Sequence, residues 1–227
     1  MNKEIDAYLK LVNEFKKNGF SLFLVGGTVR DFLLNKELTD MDAVTDATPN
    51  EMKAFLQDAD FTFSRMGSVR AKYDGVKFDI TTFRKEKSYK DSRHPTEVVF
   101  VKSPKSDVER RDFTINAMYM DENFFVLDFY NGKEDLTNKI LRMVGNPDRR
   151  IQEDPLRIIR AIRFAIDLEL EIEPKLEKAI LKNIGLLQKL NKDKILQDLK
   201  KIKSNNEERK SKYFVKFGIN EFLNVVE

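Results

Sequence analysis

"FLVGGTVRDFLL", residues 23–34, joins an apolar run directly to a helical pattern through Gly26-Gly27. Paired glycines where a strand gives way to a helix let a large anion approach the backbone at the first helical amides. The stretch predicts a strand over 20–25, a helix over 28–34 carrying Arg30, and a phosphate-bearing ligand at the turn between them. On its N-terminal side, Ile5, Tyr8, Leu9, Val12 and Phe15 recur at helical spacing, so a helix with one apolar face covers 4–17. On its C-terminal side, 38–45 reads as extended. Thr48-Pro49-Asn50-Glu51 is a capping box with proline at the first helical position, opening a helix to about residue 57. Asp74-Gly75 predicts a hairpin between strands near 67–73 and 76–83. A polar, basic loop over 84–97 then leads to a strand at 97–101, a helix starting near Ser106 and a last strand at Phe124–Phe129. From about Asp148 the pattern is helical only, broken at Gly185, Ser204-Asn205-Asn206 and Gly218. The fold class is α/β (α+β): an α/β domain over 1–145 and an all-helical one over 146–227, without internal repeats.

Composition narrows the chemistry. Of 227 residues, 41% are hydrophobic and 35% charged, enough to bury a core. No stretch approaches the roughly 18 apolar residues of a membrane span. The charged N-terminus runs into an amphipathic helix, so no signal peptide and no membrane partner are expected, and a cytoplasmic location is. The absence of cysteine excludes disulfides and thiolate metal sites, and the single histidine, His94, furnishes neither a His-based zinc site nor a Ser-His-Asp triad. Carboxylates, Arg, Lys, Asn and hydroxyls remain, with room for a hard metal ion. The net charge of +3 is unevenly spread: residues 178–216 hold twelve Lys and Arg against four Asp and Glu, net +8. Such a segment reads as a phosphate-backbone footprint or, equally, as solvated Lys-rich helix faces.

Three constellations carry the chemistry. In Asp40-Met41-Asp42, residues i and i+2 of an extended segment point to one face, and two carboxylates side by side suit Mg²⁺ shared with substrate phosphates. A lone pair of this kind is more often a polar turn; the glycine turn just upstream favours the metal reading. Asp79, on the second hairpin strand, faces away from Phe78 and Ile80 and is either a third ligand or a surface carboxylate. In "ERRDFTINAM", 109–118, Arg110, Arg111, Asp112 and Asn116 crowd one stretch expected to be helical, with Asp112 and Asn116 on one face. They suit ribose hydroxyls and phosphate oxygens, or form an exposed salt-bridged helix. In "EDPLRIIRAIRF", 153–164, Asp154 and Arg157 are i,i+3 and present an acceptor beside a fork of donors. Cytosine and adenine each offer an amino donor beside a ring-nitrogen acceptor and match that pair. Uracil and guanine offer a carbonyl and a ring N–H in the same places and clash with it. Arg160 and Arg163 continue the three-residue step. A surface ion pair between Asp154 and Arg157 is the plainer alternative.

Taken in order, "LVGGTVRDFLL…DMD", "RRDFTINAM", "DFYNGKEDL" and "EDPLRIIRAIRF" resemble the class II tRNA nucleotidyltransferase/poly(A) polymerase family, and within it the bacterial CCA-adding enzymes. The resemblance covers about residues 20–165. It implies a polymerase-β-like nucleotidyltransferase head with a mixed β-sheet followed by an all-helical neck, with the relatives' body and tail domains absent or truncated. Under it, Asp40 and Asp42 hold Mg²⁺; their adjacency can provide a two-metal site, with Asp79 the candidate third ligand read from its strand. Gly26, Gly27 and Arg30 hold the triphosphate, and Arg111, Asp112 and Asn116 contact ribose and phosphates. Asp154 and Arg157 select the base, supported by Arg160 and Arg163. The substrates implied are the tRNA 3′ end with CTP and ATP. "RKEKSYKDSRHP", 84–95, resembles the family's flexible loop, linked to the switch from C to A addition, which argues against a strict CC-adding relative. Two details depart from the pattern. Asn35 replaces a common glycine, which a left-handed helix C-cap tolerates, and "LNKDKILQDLKKI", 190–202, is a weak version of the neck motif.

The expected activity is therefore CCA addition and repair. The alternatives are a CC-adding or A-adding partial enzyme, a poly(A) polymerase, and, from a different class, a non-catalytic RNA-binding remnant. Intact Asp40, Asp42, Arg111, Asp154 and Arg157 count against the remnant.

Overall fold

The computed structural model describes residues 3–89 and 95–220. These form two units, residues 3–88 with 95–133, and residues 134–220. In the first, strands β1 (Leu22–Val25), β2 (Met41–Thr45), β3 (Ser68–Tyr73), β4 (Val76–Thr82), β7 (Met118–Met120) and β8 (Val126–Asp128) make one sheet in the order β3-β4-β2-β1-β7-β8. Only β2 and β4 run parallel, so the sheet is mixed. Helix Lys3–Lys17 buries Ile5, Tyr8, Leu11, Val12 and Phe15, while Leu9 is half-buried. The Tyr8 hydroxyl donates between the carbonyls of Leu22 and Met120, each 3.1 Å away, tying this helix to β1 and β7.

The hairpin turn forms as its sequence requires: Asp74 (φ 49) and Gly75 (φ 78) are both left-handed, the combination that matches the twist of the flanking strands. Thr48 and Glu51 complete the capping box, but the helix it opens is only Pro49–Met52. Beyond it, Ala54 and Phe55 donate to carbonyls three residues back, so the chain tightens into turns instead of running to residue 57. Asn35 takes up the left-handed conformation (φ 53), and Lys36 donates to the Asp31 carbonyl, closing helix Gly27–Leu33.

Other expectations need correction. The basic segment after β4 is not all loop: β5 (Arg84–Tyr89) and β6 (Pro95–Phe100) form a separate two-stranded sheet. Residues 90–94, with His94, lie outside the described residues. The helix expected from Ser106 through Asn116 is a short helix, Pro104–Val108, followed by a turn and the 3₁₀ turn Thr114–Asn116. Asp112 diverts the backbone, its Oδ1 accepting the amide of Phe113 at 2.7 Å in place of a helical carbonyl. Strand β7 follows, read in no sequence pattern. The strand expected over Phe124–Phe129 shrinks to β8 because Phe124 (φ 61) belongs to the preceding turn.

The second unit is not purely helical. Strands β9 (Ile140–Leu141) and β10 (Glu171–Ile172) pair in parallel, and the remainder is helical: Pro147–Glu153, Leu156–Asp167, Pro174–Asn183, Lys192–Leu199 and Glu207–Lys216. Helix Leu156–Asp167 is central and packs on Lys192–Leu199 and Glu207–Lys216. It buries Ile158, Ile159, Ala161, Ile162, Ala165 and Ile166. Among the described residues, no helix is long and apolar enough to cross a membrane.

Candidate active site

β1 ends at Gly26, whose φ 66 and ψ −128 lie where side-chain-bearing residues are strongly disfavoured. The Gly26 amide donates to the Met118 carbonyl of β7. A Cβ on Gly26 would stand 3.7 Å from Arg111 Nη1, so the turn faces that guanidinium; one on Gly27 would meet the Arg30 guanidinium at 3.5 Å. Thr28, buried in the first helical turn, donates from Oγ1 to the Asp40 carbonyl (2.8 Å) and accepts from the Asp42 amide (2.9 Å). The Asp40-Met41-Asp42 segment is thereby pinned to the glycine turn. Thr28 went unnoticed in the sequence because its hydroxyl works on a segment twelve residues away.

Parallel pairing of β2 with β4 sets Asp42 opposite Asp79, and the β3–β4 hairpin sets Asp79 opposite Arg70. Asp79 is exposed, as its alternation predicts, and accepts from Arg70 Nε at 3.1 Å. Asp40 is exposed just ahead of β2. The Asp42 carboxyl is pushed up to about 6, first by burial and then by the charge of Asp79; Arg111 pulls it down, Asp40 raises it further and Arg30 lowers it. Asp42 therefore feels two carboxylates and two guanidiniums at once. Among the described residues, no three Asp, Glu or His side chains are gathered closely enough to hold a metal ion by themselves. A buried carboxyl beside two further carboxylates nevertheless suits a hard cation that takes its remaining oxygens from a phosphate substrate.

The guanidiniums are firmly held. Arg30 forms a two-point pair with Asp31 (2.9 Å each) and donates from Nη1 to Asn116 Oδ1 at 2.7 Å. Asn116 in turn donates to Asp112 Oδ1 at 3.4 Å, the contact expected of the two residues although no helix joins them. Gly26, Arg30, Asp42, Arg111, Asp112 and Asn116 thus converge within the first unit. The sequence reading missed Asp107, which is fully buried between Arg110 and Arg111. Burial alone would raise its carboxyl; Arg110 and Arg111 outweigh that and hold it below the usual carboxylate range. An acidic residue four positions before an Arg was the available signal.

The base-selecting candidates lie in the second unit. Asp154 sits at the break between two helices, and its Oδ1 accepts the Leu156 amide at 3.1 Å. Arg157 is only 5% exposed, which removes the surface ion pair as its explanation. From Nη1 it donates to the Arg150 carbonyl (2.5 Å) and faces Glu153 (3.5 Å). Arg160 and Arg163 are half-buried on the same helix, Arg163 stacking over Phe164 with Asp198 at 3.9 Å. The basic segment is partly neutralised within its own unit: Lys182, Lys201, Arg209, Lys210, Lys212 and Lys216 all reach carboxylates. Lys178, Lys189, Lys192, Lys200 and Lys203 are exposed.

A mixed sheet that pins paired carboxylates against a glycine turn lined by guanidiniums defines a nucleotidyltransferase-type head. Residues 22–142 match the Poly A polymerase head domain, and the chain belongs to that family, the class II tRNA nucleotidyltransferase/poly(A) polymerase family. It is 40% identical over 205 residues to the CCA-adding enzyme of Lactobacillus helveticus, covering 89% of this chain and 51% of that protein. It is similar to the crystal structure of the Bacillus stearothermophilus CCA-adding enzyme in complex with CTP (TM-score 0.81, 33% identity), covering 89% of this chain and 49% of that one. It also resembles a tRNA nucleotidyltransferase complexed with a primer tRNA and an incoming ATP analog (TM-score 0.75, 29% identity), covering 91% and 60%. The chain spans about half the length of the curated relatives it matches.

Proposed function

We propose that this chain adds C and A, taken from CTP and ATP, to the 3′ end of tRNA by Mg²⁺-dependent nucleotidyl transfer without a nucleic-acid template, acting in the cytoplasm. The observation that carries the reading is that Thr28 pins the Asp40-Met41-Asp42 segment to the glycine turn, with Asp79 paired opposite Asp42 and the Arg30 and Arg111 guanidiniums facing Gly27 and Gly26. In the reaction the RNA 3′ hydroxyl releases its proton to water, its oxygen bonds to the α-phosphorus, the bond to the bridging oxygen breaks, and pyrophosphate leaves. Asp40 and Asp42, with Asp79 alongside, would hold Mg²⁺ in a two-metal arrangement, which would lower the pKa of the attacking hydroxyl and neutralise the departing pyrophosphate. Gly26 and Gly27 keep the turn bare for the triphosphate, and Arg30 and Arg111 supply positive charge to its oxygens. Asp112 and Asn116 suit the ribose hydroxyls. In the second unit, the proposed neck domain, Asp154 and Arg157 select the base, with Arg160 and Arg163 supporting them; the exposed lysines there meet the RNA backbone.

The test is incubation with tRNA transcripts lacking CCA, CA or A, each NTP supplied singly, and sequencing of the 3′ ends. C should be added to the first two transcripts and A to the third. Failure to incorporate any nucleotide, or equal use of UTP and GTP, overturns the proposal.

A further inference from the structure

The two oxygens of Asp107 face different partners. Oδ1 accepts the Arg84 backbone amide of β5 (3.0 Å) and Arg110 Nε (2.8 Å). Oδ2 accepts Arg111 Nη2 (3.1 Å) and Nε (3.3 Å), together with the Tyr119 hydroxyl (2.9 Å). The same hydroxyl accepts from Arg111 Nε at 3.0 Å, and the Arg111 guanidinium lies 5.1 Å from the Tyr119 ring centre. A carboxylate is planar and rigid, so anchoring Oδ1 to a strand backbone fixes where Oδ2 points. Tyr119 belongs to β7, which pairs with β1 next to the glycine turn, so its hydroxyl has a fixed position as well.

Arg111 is therefore gripped along one edge, through Nε and Nη2. Its other terminal nitrogen, Nη1, would stand 3.7 Å from a Cβ on Gly26. A planar guanidinium held by two of its nitrogens has little freedom to turn its third. We propose that Asp107 and Tyr119 are positioning residues that aim Arg111 Nη1 at the ligand of the glycine turn. This deepens the function proposed above and rests on Arg111 binding nucleotide.

The experiment measures CTP affinity by calorimetry with Mg²⁺ and without RNA, alongside thermal stability. The proteins are wild type, Arg111→Ala, Asp107→Asn, Tyr119→Phe and the Asp107→Asn/Arg111→Ala double variant. Asn keeps the shape of Asp107 while removing its charge, and Phe keeps the ring of Tyr119 while removing its hydroxyl. The expected result is about a tenfold loss of CTP affinity in Asp107→Asn and a smaller loss in Tyr119→Phe. In the Arg111→Ala background Asp107→Asn should cost nothing further, because the effect runs through Arg111. An equal loss in both backgrounds, or lower thermal stability with unchanged affinity, makes Asp107 a residue of the fold alone and overturns the inference. Unchanged affinity in Arg111→Ala instead removes the nucleotide role of Arg111 on which the inference depends. Wild type that fails to bind CTP removes the proposed function itself.

Discussion

Two Arg-bearing segments, around Arg111 and Arg157, share one local device and differ in what it is fastened to. In each, an acid four residues upstream grips the guanidinium across a helix end: Asp107 holds Arg111 and Glu153 holds Arg157. Tyr119 of β7 joins the grip, so Arg111 is referenced to the sheet that carries Asp42, and Asp107 is itself anchored to β5 of the separate two-stranded sheet. Arg157 is referenced to its own helical pair, through the Arg150 carbonyl and Glu153. A group built into the sheet cannot change without disturbing the chemistry. A group built into a helical pair can be altered while the acidic cluster stays intact. Variants of the first unit should therefore abolish turnover, and variants of the second should change the choice of nucleotide.

The largest effect is expected at Asp42. Asp42→Ala should lower incorporation by roughly a thousandfold or more, with a circular dichroism spectrum like that of wild type. Normal turnover by the folded variant would break the comparison at its first term. Next comes Asp154→Ala, which under the proposed base selection would remove the acceptor that repels the uracil carbonyl and leave Arg157 to donate. CTP incorporation should fall roughly ten- to a hundredfold, the scale of one matched hydrogen bond, while UTP use rises relative to CTP. Competition between CTP and UTP on a CCA-less tRNA checks it, and a wild-type C-to-U ratio would show that the helical pair does not read the base.

A third effect concerns stability alone. The Asp42 carboxyl is raised to about 6 from 3.8, so between those values the folded state binds more protons than the unfolded one. Stability from this group therefore falls as pH rises through the window. Metal-free Asp42→Asn should be more stable than wild type at pH 7, by no more than about 3 kcal/mol. The difference should vanish below about pH 4, where both states of the wild type are protonated. Melting curves in chelator at pH 4, 5.5 and 7 measure it, and a pH-independent difference would contradict the raised Asp42 carboxyl, which its burial and then Asp79 produce. The smallest effect belongs to the exposed lysines. Lys200→Ala should weaken RNA binding a few-fold at low salt and reduce the slope of log affinity against log salt by about one. An unchanged slope would place the RNA elsewhere.

Where neighbouring residues fix the conformation, the sequence was readable. The Asp74-Gly75 turn, the Thr48 capping box, the left-handed Asn35 and the amphipathic first helix follow from φ preferences, side-chain caps and apolar spacing. Where partners are distant, it misled. Met118–Tyr119–Met120 is buried on both faces and shows no alternation, so β7 was invisible; yet it supplies both the acceptor for Gly26 and the hydroxyl beside Arg111. Residues 109–116 look helical, and Asp112 breaks the helix by capturing the Phe113 amide. The pair β9–β10 is two residues per strand, too short for any periodicity to show.

By itself the sequence determined the residue types of the chemistry: adjacent carboxylates, a bare glycine turn and arginines at set spacings, because those are properties of composition and local backbone. Only the tertiary structure decided which of them lie together. Asp79 joins Asp42 because β2 and β4 pair in parallel, and Asp40 is fixed through Thr28. Arg111 Nη1 faces the glycine turn, and buried Asp107 with Tyr119 holds the other edge of the guanidinium. Strand register and burial set these distances, and they bring together residues far apart in the chain.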